Sequence, residues 1–216
     1  DRSTAASIAD QYMEMYRKNS SLLPETATRQ DFRDRMMSTY PFHPTLIDYL
    51  TNKLSEVESF QGTRGVLRVL SLAVRNTWEK QSLVPMIHVS HLDLRHDRVV
   101  AEIVGRTGNS ELLNIVNADV GGVDTGGLEG GRSNAQALDL GNPHPKGFPM
   151  HEFAWRTVFL NSLVGRSEGV TSKAFGVSEP EAMYQTCFPD LTPTQVKEAL
   201  KQIEDNAFYL RWDQGK

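Results

Sequence analysis

Residues 60–75 read FQGTRGVLRVLSLAVR, and this stretch decides how the first part of the chain is expected to fold. Its apolar residues cover most of the circumference of a helix, which predicts a central and largely buried helix. The remaining polar residues fall on one narrow line, at i, i+4, i+7 and i+11: Arg64, Arg68, Ser71 and Arg75. An unpaired charge is costly to bury. We therefore expect this arginine line to face water, carboxylates or an anionic ligand.

Two interpretations of the arginine line remain open. In the first, the arginines form a solvated surface that pairs with Asp or Glu side chains of a neighbouring helix, as any helical bundle could show. In the second, they bind an anion. Arg64 lies at the predicted helix start, where free backbone N–H groups and the positive end of the helix dipole also favour negative charge.

Helical spacing of apolar residues predicts further helices along the chain. These segments are 2–19, 29–38, 44–57, 99–104, 112–120, 153–164, 179–187 and 192–206. Pro44 suits the first position of a helix, and Thr192-Pro193-Thr194-Gln195 combines a Thr N-cap, a proline in the first turn and a glutamine three residues after the cap. Residues 83–89 predict a strand or an extended connector, and residues 208–212 alternate like a strand.

Composition limits the class of protein. The chain has 216 residues, 39% hydrophobic and 23% charged, and a formal net charge of −4, which argues against a dedicated nucleic-acid binder. No apolar run reaches the roughly 20 residues of a membrane span. The lone Cys187 excludes a disulfide scaffold and is typical of a reducing compartment, so we expect a cytoplasmic protein with no membrane partner. The first residue is Asp1 rather than Met, which suggests a piece of a longer protein.

Glycine and cysteine offer little chemistry in this sequence. Glycines between 121 and 131 suggest a phosphate loop, but the Gly-Lys-Ser/Thr ending of a Walker A loop is missing, so we interpret 121–149 as a loop or hinge. Cys187 has no nearby basic residue to lower its pKa, and we expect it to be buried and inert. No catalytic residue is predicted.

The histidines are also weak candidates. His88, His91 and His96, with Asp93 and Asp97, could ligate zinc, but their spacing fits no helical metal motif. Exposed side chains on a connector are the preferred interpretation, and no metal site is predicted. His43, between two prolines, is expected to cap a helix or to pack.

The last third of the chain has the element order of a winged-helix module: helix, short helix, capped helix, strand. Such modules often place the capped helix in the major groove of DNA. Residues 151–216 contain 7 basic and 9 acidic residues, the wrong balance for neutralising phosphates. We therefore predict a mainly α (α+β) fold: a helical domain over 1–85, a connector with the Gly-rich loop over 86–150, and a small winged-helix-like domain over 151–216.

Two sequence blocks resemble a known family. They are Tyr40-Pro41-Phe42-His43-Pro44 and Phe60-Gln61-Gly62-Thr63-Arg64-Gly65-Val66-Leu67-Arg68. The pairing is similar to a prokaryotic family of large predicted AAA+-type ATPases, catalogued as a domain of unknown function. The resemblance covers about 8–119 and 152–212. Members are often encoded beside DNA methyltransferase genes, which implies a link to restriction or phage defence.

The resemblance implies a position within an ATP-hydrolysing machine. In AAA+ proteins a phosphate-binding core comes first, a helical lid follows, and several branches add a winged-helix domain. This chain would supply the lid and the winged-helix portion. One lid helix usually begins Gly-x-(x)-Arg-x-x-Leu, and its arginine (sensor 2) reaches the nucleotide phosphates. Gly62, Arg64 and Leu67 match with one residue fewer between Gly and Arg, which implies a nucleotide-contacting Arg64, with Arg68 as the alternative.

The implied cofactors are ATP and Mg, bound mainly by parts outside this chain. The implied partner is the upstream ATPase core of the same protein, with DNA-modifying proteins or DNA as further candidates. We do not expect this chain alone to hydrolyse ATP, because it lacks a phosphate loop, a magnesium-binding acid and a water activator. The alternative function is a non-catalytic adaptor whose winged-helix part binds DNA or a protein, the arginine line then being a salt-bridged surface.

Overall fold

Helices account for the regular structure of this protein. The computed structural model describes residues 2–57, 60, 62–107, 111–121, 131–165 and 175–210, and within these ranges it contains no strand. The α-helices are α1 (Arg2–Lys18), α2 (Gln30–Thr39), α3 (Pro44–Asp48), α4 (Gly62–Glu79), α5 (Asp97–Ile103), α6 (Glu111–Ile115), α7 (Asn134–Gly141), α8 (Met150–Asn161), α9 (Glu179–Thr186) and α10 (Pro193–Asn206). The predicted mainly α class is confirmed.

Shorter helical turns extend or join these helices. Single π-helical turns continue α3 (Tyr49–Lys53) and α6 (Val116–Val120). Turns of 3₁₀-helix occupy Ser20–Leu22, Glu25–Thr28, Leu54–Glu56, Val89–His91 and Gly105–Thr107. The helix predicted over 44–57 is therefore one continuous run of α, π and 3₁₀ turns.

Side-chain caps fix where several helices begin. The Thr192 hydroxyl accepts the N–H of Gln195, and the Gln195 side-chain oxygen accepts the N–H of Thr192, so the predicted capping box of α10 is confirmed. The imidazole of His43 accepts the N–H of Thr45 at the start of α3. His43 is therefore a capping residue, as predicted, because free N–H groups at a helix start need acceptors.

Helix α8 is the central helix of the core. Every one of its residues except Val158 is buried, and it packs against α7, α9, α10 and the Val89–His91 turn. The apolar core is one cluster that includes residues from α1 through α10. Buried residues thus come from all three predicted parts of the chain, and the boundaries at 85 and 150 remain predictions.

Helix α4 lies at the surface, so the prediction of a central, largely buried helix over 60–75 is wrong. Only Gly65, Val69, Ala73 and Asn76 are buried in it, and α5 and the Tyr49–Lys53 turn cover that line. These buried residues are small or medium-sized, while several large apolar residues face outward. The pattern of apolar residues did not reveal which side of the helix has neighbours.

Three connecting segments differ in part from expectation. Residues 83–89 form a connector in which Ile87 makes a single parallel bridge to Phe42. The segment 121–149, predicted as a loop, contains α7, which begins at the capping residue Ser133. Residues 122–130 lie outside the described residues. The strand predicted over 208–212 is absent at 208–210, and 211–212 are not described.

None of the described helices is long and apolar enough to cross a membrane.

Candidate functional site

The outward face of α4 contains the sequence-predicted site residues. Helix α4 begins at Gly62, whose φ of +50° is a conformation that glycine adopts readily. Gly65 packs against the ring of Phe60, and a Cβ atom at this glycine would lie 3.0 Å from that ring. These two glycines let the chain turn sharply into the helix. Arg64 consequently projects from the first turn of α4.

The arginines of the line differ in their partners. Arg68 Nη1 lies 3.6 Å from Glu102 Oε1 of α5, and Arg75 Nε donates to Glu79 Oε1 at 2.7 Å within α4. Arg64 is exposed and forms no ion pair with any residue that the structure describes. The first interpretation, a surface paired with a neighbouring helix, fits Arg68. It does not account for Arg64.

Large apolar side chains accompany the arginines. Leu67 is 62% exposed, Val74 42% and Trp78 83%. They alternate with the arginines along one side of the helix, which we call the α4 face: Arg64, Leu67, Arg68, Ser71, Val74, Arg75 and Trp78. Exposed tryptophan and arginine side by side are enriched at protein interfaces, and a contiguous exposed apolar patch marks an interaction site.

Two shallow grooves border the α4 face. The first is lined by Phe42, Leu67, Leu70, Val74 and Trp78. The second is lined by Tyr40, Pro41, Trp78 and the connector over 84–87. Residues of the Tyr40–Pro44 block and of α4 line both grooves, and Phe42 and Leu67 meet in the first. The two sequence blocks that carry the family resemblance are therefore neighbours in space.

Arg64 and Arg68 thus lie one turn apart on the same exposed face. This placement is compatible with contact to an anion on another domain. Their predicted role toward a nucleotide stays a prediction.

The histidine-rich connector is buried, so the expectation of exposed side chains there is wrong for three residues. His88 is 0% exposed, His91 8% and Asp93 3%. His96 caps α5 by accepting the N–H of Arg98 at 3.2 Å, and Asp97 is exposed in the first turn. Among the described residues no group of three His, Cys, Asp or Glu side chains is arranged to hold a metal ion.

A parallel bridge places two of the buried histidines side by side. The N–H of Ile87 donates to the carbonyl of Pro41, and the N–H of His43 donates to the carbonyl of Ile87, both at 2.9 Å. Phe42 and Ile87 are paired by this bridge, so the following residues, His43 and His88, are adjacent. Their imidazole rings stack with centroids 4.0 Å apart and an interplanar angle of 12°.

Two tyrosines of α1 hold the stacked rings. Tyr12 Oη lies 2.7 Å from His88 Nε2, and Tyr16 Oη lies 2.9 Å from His43 Nε2. Residues four apart on a helix lie on the same side, one turn from each other. The spacing of the tyrosines therefore matches the spacing of the two stacked rings.

The third histidine joins the same cluster. The N–H of His88 donates to His91 Nδ1 at 2.9 Å, and the His91 ring meets the His88 ring edge-on with centroids 5.4 Å apart. We call His43, His88 and His91 the histidine cluster. His43 lies far from the other two in sequence, and His88 and His91 are separated by a turn. Their spacing along the chain therefore did not predict this arrangement.

Burial is the main influence on these imidazoles. It lowers the pKa of His43 and of His91 well below the usual range, because a charged ring loses its hydration there. Positive charge acts in the same direction, from Arg35 on His43 and from Arg156 on His91. Burial lowers the pKa of His88 to about 3, against an opposing backbone hydrogen bond at Gln185. The cluster is neutral at pH 7.

A buried ion network lies beside the cluster. Arg156 Nη2 donates to Asp93 Oδ1 at 3.0 Å and also to the Glu152 carboxylate. Lys80 donates to Asp93 as well, and Arg95 Nε lies 3.2 Å from Glu152 Oε1. Burial opposes ionisation of Asp93, but Arg156 and Lys80 outweigh it and lower the pKa of this carboxyl. The network connects α8 to the segment that follows the Val89–His91 turn.

Cys187 is a free, fully buried cysteine, as predicted. Burial raises the pKa of its thiol well above the usual value, because a thiolate would lose its hydration. A reactive nucleophile at this position is therefore not supported.

Comparison with known families identifies the chain. Residues 3–215 match the family described as the DUF499 second domain, which is a family of unknown function. The chain belongs to this family, which confirms the expected domain of unknown function; its relation to AAA+-type ATPases stays a prediction. No curated protein matches it, and no solved structure does.

Proposed function

We propose that this domain is the nucleotide-sensing lid of an ATP-hydrolysing protein and that the α4 face lies against the preceding ATPase core. The environment of Arg64 is the main observation that supports this function. Its guanidinium is exposed, lies in the first turn of an 18-residue helix and has no ion-pair partner among the described residues. A guanidinium fork can bind phosphate oxygens, and its hold strengthens as negative charge develops on them.

The ion pairs of the α4 face favour Arg64 over Arg68 as the phosphate contact. Arg68 forms an ion pair with Glu102, which also binds Arg106 at 3.2 Å. Arg75 is paired with Glu79. A phosphate would have to displace a carboxylate from either of these arginines. With respect to the residues that the structure describes, Arg64 can accept an anion without such a loss.

The apolar part of the α4 face supports a neighbouring domain as occupant. Burying Leu67, Val74 and Trp78 against another surface would be favourable, since each square ångström of apolar area removed from water contributes about 25 cal/mol. The family is described as a second domain, which implies a first domain in the same protein. The resemblance to AAA+ ATPases assigns the phosphate-binding core to that position.

The cofactors of this function are ATP and Mg. Arg64 would hold a phosphate oxygen, and we assign the magnesium ligands and the remaining nucleotide contacts to the preceding domain. What this chain supplies is a positive charge on a rigid helix. Loss of the phosphate contact would free the helix to rotate relative to the core, which would report hydrolysis to the rest of the chain.

Helices α8, α9 and α10 are the candidate winged-helix portion. All three pack against one another, as the helices of such a module would. We propose that they carry the movement of α4 toward a partner, for which DNA-modifying proteins or DNA are candidates in a cytoplasmic defence process. The outer side of α10 carries Lys197, Glu198, Lys201 and Glu204, and Lys197 is paired with Glu179 at 2.9 Å. This mixed charge favours a protein partner over DNA.

ATP hydrolysis by the full-length protein tests this function. We expect Arg64→Ala to leave folding intact and to lower turnover by a factor on the order of 10 to 1,000, the range for losing one transition-state phosphate contact. Arg75→Ala is the matched control, because Arg75 lies on the same line but is paired with Glu79. Its turnover should stay close to that of the wild type.

Two other outcomes would change the assignment. If Arg68→Ala alone lowers turnover, the phosphate contact lies one helical turn further along and the lid function stands. If neither Arg64→Ala nor Arg68→Ala changes turnover and the full-length protein shows salt-dependent DNA binding, the non-catalytic adaptor is the better description.

A further inference from the structure

We propose that the histidine cluster is an acid-sensitive clamp: it joins α1 to the rest of the fold while its three imidazoles are neutral, and it opens cooperatively when all three take up protons. This device is independent of the nucleotide-sensing function. It would make the stability of the domain respond to mildly acidic pH far more steeply than one histidine could.

The hydrogen bonds of the cluster require neutral rings. The N–H of Thr45 donates to His43 Nδ1, and the N–H of His88 donates to His91 Nδ1. A nitrogen that accepts a backbone N–H cannot also carry a proton. Protonation of His43 would therefore break the cap of α3, and protonation of His91 would break the turn at Val89–His91.

His88 connects these two caps through its ring. Its Nε2 pairs with Tyr12 Oη and its ring lies against both other imidazoles, at 4.0 Å from His43 and 5.4 Å from His91 between centroids. A charge on one ring would disfavour a charge on the next at these distances. The three protons should therefore enter together, on opening, rather than one at a time in the closed state.

Backbone hydrogen bonds at Gln185 and Met86 favour a charge on His88 and His91, but among the described residues no carboxylate binds an imidazole of the cluster. From α1 come the hydroxyls of Tyr12 and Tyr16, and from α9 comes the ring of Tyr184, edge-on to His43 at 5.8 Å. From α2 and α8 come two cations, Arg35 and Arg156, which disfavour protonation.

Three carboxylates on segments that pack around the cluster are already bound to arginines. Asp93 and Glu152 are bound to Arg156, and Asp48 is bound to Arg35. Among the described residues, none of these carboxylates makes a hydrogen bond with an imidazole of the cluster. Cys187 lies nearby, and burial keeps its thiol neutral by raising its pKa.

The direction of the pH dependence follows from burial. An unfolded histidine has a pKa of about 6.5, and the folded values of all three are lower. The stability that the neutral cluster contributes is therefore fully present above about pH 6.5 and is lost as the pH falls below it. Each histidine raises the unfolding equilibrium constant by about tenfold per pH unit in that window, and three raise it by about a thousandfold.

Denaturant unfolding of the 216-residue chain between roughly pH 6 and 5 measures the number of protons directly. We expect the unfolding constant to rise with a slope close to three protons. The pKa of His151 is raised rather than lowered, so this residue changes the slope in the opposite direction to the cluster. A slope of one proton or less would overturn the clamp.

Matched asparagine variants locate the protons. In His91→Asn the amide oxygen can take the place of Nδ1 and still accept the N–H of His88, so the variant keeps the turn and removes one titrating ring. We expect its slope to fall to about two protons. His96→Asn is the control, because asparagine is a good N-cap and His96 lies outside the cluster. A lower slope in His96→Asn with an unchanged slope in His91→Asn would also overturn the assignment.

Discussion

The guanidinium of Arg156 lies 3.0 Å from the carboxylate of Asp93, and both side chains are almost completely buried. Arg156 comes from the central helix α8, whereas Asp93 follows the turn that contains His91. This ion pair thus joins the central helix to the segment that carries two members of the histidine cluster. Buried charges of this kind stabilise a fold only while every member keeps its partner.

Removing Arg156 should therefore be severe. Arg156→Met would leave the carboxylates of Asp93 and Glu152 buried without their central cation. We expect the free energy of unfolding to fall by about 3 to 5 kcal/mol. The matched control is Arg75→Met, which removes an exposed ion pair and should cost less than about 1 kcal/mol. Urea unfolding at pH 7 measures both values, and equal losses in the two variants would contradict the buried network.

The orientation of α4 can be tested with neighbouring apolar residues. Val69 is 1% exposed and Leu67 is 62% exposed, although both lie in the same helix. Val69→Ala should lower the free energy of unfolding by about 1 to 2 kcal/mol, because it removes buried methyl groups. Leu67→Ala should change it by less than about 0.5 kcal/mol. The reverse order would mean that α4 presents its other side to the core.

The start of α8 offers a further measurement. Asp139 accepts the backbone N–H groups of His151 and Glu152 and lies 2.8 Å from His151 Nδ1. Burial opposes a charge on His151, but the hydrogen bonds to Asp139 and Gln202 outweigh it and raise the pKa of the ring. A raised folded pKa contributes stability that is fully present below about pH 6.5 and is lost as the pH rises through the folded value.

Asp139→Asn should therefore cost more at pH 6 than at pH 9. We expect a loss of about 1 to 2 kcal/mol at pH 6 and roughly half of that at pH 9, where only the cap of α8 is weakened. Asp190→Asn, which removes an exposed pair with Lys146, is the control. Its small effect should be the same at both pH values. An equal loss at both pH values for Asp139→Asn would show that His151 is not charged in the folded chain.

Local sequence signals located most of the helices. The capping box at Thr192 and Gln195, the proline at the start of α3 and the apolar spacing of α1 and α8 each depend on residues within a few positions of one another. Such signals act within one turn of a helix, so they survive in any tertiary context. The strand predicted over 208–212 is absent at 208–210. A strand needs a partner to pair with, and the alternation of a few residues does not supply one.

The candidate site could be predicted only in part. The periodicity of Arg64, Arg68 and Arg75 correctly placed these arginines on one outward line. It could not show that Arg68 would meet Glu102 while Arg64 would have no described partner, because Glu102 belongs to another helix. Nor could it show that Trp78 would be exposed beside them.

Most of the helices, the start of several of them and the family could be inferred from the sequence, whereas α7 was missed. That α8 rather than α4 is central, and that the histidines are buried together, became visible only in the folded chain. Burial depends on neighbours, and local patterns do not contain them. Small residues let α4 lie close along one narrow line, while a single parallel bridge between Phe42 and Ile87 stacks His43 on His88. Neither the packing of α4 nor the Phe42–Ile87 bridge can be predicted from the local sequence pattern of the segments involved.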